Sequence, residues 1–100
     1  MEVNKKKFEL GQVVVTSGIY AKMSEDQIFG EFVSTSLLRH ADADWGDLDT
    51  EDAALNEAAL KSGEDRLFSS YKCSEVPDGR IWIITEWDRS HTTILLPSEY

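Results

Sequence analysis

The sequence predicts an α+β fold: an antiparallel sheet of three to four strands with two main helices packed on one face. Apolar residues recur at helical spacing in two segments, about residues 24–40 and 50–62. The last third switches to short runs of β-branched and aromatic residues separated by turn-forming ones. With 100 residues, 41% hydrophobic and 29% charged, the chain is one domain's worth. A chain of this size buries roughly 65% of the surface its unfolded form exposes, enough for one core and no second domain. Residues 1–7, with Lys5, Lys6 and Lys7, read as a flexible basic arm, and residues 8–100 as the domain.

The elements follow in order. Residues 12–16 (QVVVT), after Gly11, suit a strand too short to stand alone. Residues 19–23 fit one or two helical turns. Ser24 with Gln27 matches a capping box, so the first main helix should start there. Ile28, Phe29, Phe32, Val33, Ser36 and Leu37 then line one stripe as far as Arg39 or His40. Gly30 inside this helix costs about 1 kcal/mol relative to alanine.

Residues 41–49 (ADADWGDLD) break both periodicities and form an acidic loop, with Trp45 and Leu48 to pin it. Asp49 or Thr50 caps the second helix, and Glu51 and Asp52 favour the positive end of its dipole. Ala53, Ala54, Leu55, Ala58, Ala59 and Leu60 give it a small-residue face, and Lys61 and Gly63 form a stop signal. Residues 66–72 (RLFSSYK) are a strand, and Val76-Pro77-Asp78-Gly79 is a turn. Residues 80–87 (RIWIITEW) are apolar on both faces, as a central strand requires. A polar turn at 88–91 leads into a last strand at 92–96 (TTILL), which Pro97 ends.

Charge is the most informative feature for function. Nineteen acids against ten bases give −9, which argues against direct nucleic-acid binding, because phosphate neutralisation needs clustered cations. Residues 41–65 hold nine acids and one base, a net of −8, whereas the other 75 residues hold ten acids and nine bases. The candidate partner-binding residues are therefore Asp42, Asp44, Asp47, Asp49, Glu51 and Asp52, with Trp45 as an apolar anchor. The plain alternative is a solvated acidic face that keeps a small protein in solution.

Other chemistries lack their residues. As a calcium loop, counting from Asp42 puts Gly46 at position five rather than six and Ala53 where a bidentate Glu belongs. Cys73, His40 and His91 are too scattered for a structural zinc. Ser90 and His91, adjacent in an extended segment, should point to opposite faces and share no proton. Cys73 reads as a small buried hydrophobe. There is no Gly-rich phosphate loop, so no cofactor, metal or catalytic residue is expected. Trp45, Trp82 and Trp87 read as core or loop anchors rather than stacking platforms. Asp88, Arg89 and His91 form a second candidate cluster that could face an anionic ligand, against the plain reading of an ordinary turn. An enzyme or ligand-binding reading would bring them together with Asp47 and Asp52 in a cleft. A single cysteine, no apolar run after the lysines and no membrane-length apolar stretch point to a cytoplasmic protein.

Residues HADADWGDLDTEDAALNEAAL, RLFSSY and IWIITEWDRSHTTILLPSEY resemble a family of short bacterial proteins carried on plasmids, phages and integrated elements. Its members share DWGDL, a following Glu-Asp with a later Asn (here Glu51, Asp52 and Asn56), and the ending WIITE-x-DRS-x-TTILLP-x-EY. Some are labelled type I restriction modification subunits, a label at odds with a chain too short for a methyltransferase domain. The resemblance implies a mobile-element setting in which host defence must be survived. It suggests an anti-restriction or anti-CRISPR type of inhibitor, whose acids mimic phosphates on the basic surface of a host defence nuclease or effector complex.

Overall fold

A computed structural model describes residues 6–100, and the chain runs β1 (Gln12–Val15), α1 (Ser17–Glu25), α2 (Gln27–Ala41), α3 (Thr50–Ser62), β2 (Leu67–Lys72), β3 (Arg80–Thr85) and β4 (His91–Leu95), ending in a 3-10 turn, Pro97–Glu99. The fold is α+β, with strand order β1-β4-β3-β2. Pairing of β2 with β3 and of β3 with β4 is antiparallel, but β1 lies parallel to β4, so the sheet is mixed rather than antiparallel throughout. A parallel pair needs a long crossover, and the helices following β1 supply it.

The N-terminal elements differ from the sequence expectation in two ways. The one or two turns expected at 19–23 are a full nine-residue helix, α1. The next helix is capped by Asp26, whose carboxylate accepts the Phe29 N–H at 3.1 Å. Ser24 instead donates to the Tyr20 carbonyl inside α1, so the expected capping box does not form. An Asp in extended backbone between two helices outcompetes a serine already committed to helical geometry. The Phe29 N–H, followed by Lys22, holds the Asp26 carboxyl below its usual range.

Phe29, Val33, Ser36 and His40 of α2 are buried at i, i+4, i+7 and i+11. Ile28, expected on that stripe, is 77% exposed because its neighbour Phe29 takes the inward position. In α3, Asp49 is the N-cap, accepting the Asp52 N–H at 2.8 Å, and Gly63 ends the helix in the left-handed conformation. Its inner face is Ala53, Asn56, Ala59 and Leu60, while Ala54, Leu55 and Ala58 are exposed. Helical spacing around Asn56 sets that face, and a polar residue at its centre is invisible to an apolar count.

The register places Leu67, Ser69, Tyr71, Ile81, Ile83, Thr85, Thr92 and Ile94 on one face of the sheet. The helices pack against that face through Ile19, Phe29, Val33 and Ala59. The opposite face carries Phe68, Trp82, Ile84, Thr93 and Leu95, none of which joins either helix-facing core cluster. The central strand β3 stops at Thr85, leaving Trp87 62% exposed in the following turn rather than in the sheet. Of the expected basic arm, residues 1–5 lie outside the described residues. Lys7 donates its backbone N–H to the Ala41 carbonyl at 2.8 Å, so the chain is already tied to the domain there.

Candidate functional site

The acidic segment 41–65 folds against the outer edge of β2 and seals it. After α2, Asp44 pairs with Arg39 at 2.7 and 3.2 Å, and the Arg39 guanidinium lies 4.8 Å from the centre of the Tyr71 ring. The Tyr71 hydroxyl donates to the Asp44 carbonyl at 2.7 Å. Arg39 holds the Asp44 carboxyl below its usual range, and Asp44 reciprocally raises Arg39. Residues 45–47 then run alongside β2. Ser70 donates its N–H to the Trp45 carbonyl at 3.1 Å, and Asp47 returns its own N–H to the Ser70 carbonyl at 2.6 Å. The Asp47 carboxylate accepts the Lys72 N–H at 2.9 Å.

At the centre of α3, the Asn56 amide completes the edge. It donates to the Phe68 carbonyl at 2.6 Å and accepts the Phe68 N–H at 3.1 Å, reproducing with a side chain what a neighbouring strand would do. The outward N–H and carbonyl groups of Phe68 and Ser70 and the Lys72 N–H are thus bonded within the chain, which protects most of this edge strand from pairing with another molecule. Asn56→Ala leaves two backbone groups of β2 without partners at a buried position. It is expected to cost about 2–4 kcal/mol, read as a shift in the urea midpoint with an unchanged slope.

The nine carboxylates of this segment divide into two sets. Asp44, Asp47 and Asp49 bond to the chain as described, and Glu57 accepts the Trp45 indole N–H at 2.8 Å. Asp42, Glu51, Asp52, Glu64 and Asp65 make no side-chain ion pair among the described residues and are exposed. Trp45, expected to serve as an anchor, is 7% exposed and packs on Phe8, His40 and Leu67, so its ring belongs to the chain's own core.

Under Trp45 lies a polar chain that sequence reasoning missed. Fully buried His40 has Nδ1 2.5 Å from the Ser69 hydroxyl and Nε2 2.9 Å from that of Thr85. Thr85 continues at 2.7 Å to Thr92, which donates to the Leu10 carbonyl at 2.7 Å. Burial pushes the His40 pKa down to about 3, so the ring is neutral. The available signal was its spacing, seven residues from Val33 on the buried stripe of α2.

The second cluster is structural in its contacts. Arg89, at φ 60°, directs its guanidinium to the carbonyls of Asp65 at 2.6 Å, Glu86 and Trp87 at 3.1 Å and Ala59 at 3.3 Å. It therefore caps the C-terminal end of α3, whereas Asp49 and Asp52 sit at the other end, about 10 Å of helix rise from Ala59. Arg89 and Asp52 are not brought together. Asp88 accepts the Ser90 N–H at 3.0 Å. Ser90 and His91 do meet, with Oγ 3.1 Å from Nδ1, contrary to the expectation for an extended pair, because Ser90 lies in the turn before β4 begins. Glu86 lies 3.9 Å from His91 Nε2, and all of these groups face solvent to a large degree.

An open groove of about 880 Å³ between α1 and α2 is lined by Met23, Ser24, Gln27, Gly30, Glu31 and Thr35, none of them among the expected site residues. Among the described residues no group of three or more His, Cys, Asp and Glu side chains is placed to hold a metal ion, and no helix is long and apolar enough to cross a membrane. Of the acids in the calcium-loop pattern counted from Asp42, Asp44 pairs with Arg39 and Asp47 bonds to β2. Compared with models of protein families, with curated proteins and with solved structures, the chain matches none.

Proposed function

We propose that this protein is a binding module without chemistry of its own, and that it presents a fixed acidic ridge to a basic protein surface. In the setting its sequence resemblance implies, that surface is the nucleic-acid site of a host defence enzyme or effector complex. The supporting observation is the division of carboxylates. One set fastens the 44–49 segment, Asp44 to Arg39 of α2, Asp47 to β2 and Asp49 to the first turn of α3, and Asp42, Glu51 and Asp52 flank that fastened segment with free, exposed side chains. Negative charges held in place lose little conformational entropy on docking and can occupy positions that phosphates normally fill.

The test uses Asp42→Ala/Glu51→Ala/Asp52→Ala, which removes three charges that make no bond within the fold. As bait, the wild-type protein should retain a basic nucleic-acid-binding protein that duplex DNA displaces. Retention should weaken steeply with salt, because the Debye length shrinks from about 10 Å at 0.1 M to about 3 Å at 1 M. The triple variant should melt within a few degrees of wild type and lose the captured protein. Equal capture by both baits, or capture indifferent to salt, would contradict the proposal.

A further inference from the structure

The face of the sheet turned away from the helices is aromatic and locally cationic in a chain whose net charge is −9. Its membership follows from the register: Phe68 opposes Ile84, Ser70 opposes Trp82 and Lys72 opposes Arg80, while Trp82 also opposes Leu95. Ile84 and Leu95 are buried as its floor. Above them the Phe68 and Trp82 rings meet edge to face at 5.1 Å, and Tyr100, 69% exposed, lies 5.8 Å from Trp82. Arg66 stands at one end, with its guanidinium 2.9 Å from the Tyr100 hydroxyl. Lys72 and Arg80 close the other end.

These three cations have no ion-pair partner among the described residues, whereas Lys6, Lys22 and Arg39 each have one. Glu64 and Asp65, which precede Arg66 in sequence, are exposed and free of ion pairs among the described residues, but other carboxylates near this face are engaged elsewhere. Asp47 accepts the Lys72 backbone N–H, Asp78 the Ser98 N–H at 2.7 Å, and Glu99 the N–H groups of Gly18 and Leu96. Glu86 faces His91.

We propose that this open face binds single-stranded DNA. The exposed Tyr100 ring and the partly exposed Phe68 and Trp82 rings offer sequence-tolerant stacking to unpaired bases, and cations at both ends of the ring cluster can take the flanking phosphates. At the edge of β2 the outward groups of Phe68 and Ser70 and the Lys72 N–H are already taken, which disfavours an acidic peptide adding there as a strand. Beside Trp82, the buried Ser70 hydroxyl accepts from Arg80 at 3.3 Å and the Tyr100 hydroxyl accepts from Arg66 at 2.9 Å, so both already have partners within the chain, which favours DNA over RNA. The net charge that argues against general nucleic-acid affinity resides mainly in segment 41–65 and limits binding to low salt rather than abolishing it.

Fluorescence anisotropy with a labelled oligo(dT) probe tests this. Binding at low salt should fall with a log–log salt slope of about −2, as three cations meeting a single strand require. Tyr100→Ala should weaken it about 5- to 150-fold. Arg66→Ala/Lys72→Ala should flatten the slope to about −0.7. All three substituted side chains are exposed, so circular dichroism should be unchanged, and wild-type resonances of Phe68, Trp82 and Tyr100 should shift on titration. No binding at low salt, binding indifferent to both variants, or equal or tighter binding of a Glu-rich peptide at the same resonances would overturn the proposal.

Discussion

Gly46→Ala is expected to destabilise the domain by about 3 kcal/mol or more. Gly46 has φ 75°, a region that costs any residue with a Cβ on the order of 1–3 kcal/mol when held there. A Cβ at this position would also run into the Ser70 carbonyl oxygen and come within 2.6 Å of the Tyr71 ring. Neither can yield easily. Ser70 is in a paired strand, and Tyr71 is fully buried with its hydroxyl on Asp44. Relief would require residues 45–47 to lift from β2, breaking both backbone bonds to Ser70 and reopening the sheet edge. Urea denaturation gives the stability loss, and hydrogen exchange at Ser70 and Asp47 should show its location. By contrast, Gly63 and Gly79 have open space where a Cβ would stand, so alanine there meets only the backbone penalty.

His40→Ala is expected to cost about 3–5 kcal/mol, because it opens a cavity and leaves the Ser69 and Thr85 hydroxyls without their partner. The same side chain makes stability depend on pH. Folded His40 stays neutral down to about pH 3, whereas in the unfolded chain it takes up a proton near 6.5. Between those values the unfolded state binds more protons, so stability is full above pH 6.5 and falls as pH drops through the window. The loss reaches about 2 kcal/mol by pH 5, above the range in which carboxylates titrate. His40→Gln, which keeps hydrogen-bonding atoms on the side chain but cannot titrate, should flatten that slope between pH 7 and 5. An unchanged slope would place the pH dependence elsewhere.

Much of the fold was legible because local signals and tertiary packing agree. The QVVVT run, the Pro77-Asp78-Gly79 turn, the doubly apolar β3 and the Asp49 and Gly63 helix boundaries all stand where periodicity and capping chemistry put them. What was not legible depends on long-range partners. The parallel placement of β1 is set by the crossover helices and has no local signature. Asn56, buried at the centre of α3, takes its meaning from Phe68, twelve residues away. His40 takes its from Ser69 and Thr85, at 29 and 45 residues' separation.

The acidic segment shows the same limit. Sequence counting located its charge correctly but gave every carboxylate the same standing. Backbone geometry separates them, since Asp47 meets the Lys72 N–H and Asp49 the Asp52 N–H, while Asp42 and Glu51 meet only solvent. Trp45 follows the same logic, because the loop that carries the charge needs an apolar pin and the indole supplies it.

The central claim, that segment 41–65 combines carboxylates that hold the fold with carboxylates free for a partner, is tested most directly by melting two variants of identical charge. Asp44→Ala/Asp47→Ala/Asp49→Ala removes the Arg39 pair, the Lys72 acceptor and the α3 cap. It should lose about 3 kcal/mol, a fall of roughly 12–24 °C in Tm for a domain of this size. Asp42→Ala/Glu51→Ala/Asp52→Ala should stay within about 1 kcal/mol of wild type, its small cost coming from the helix dipole. Equal melting temperatures for the two variants would contradict the division on which both the fold and the proposed function rest.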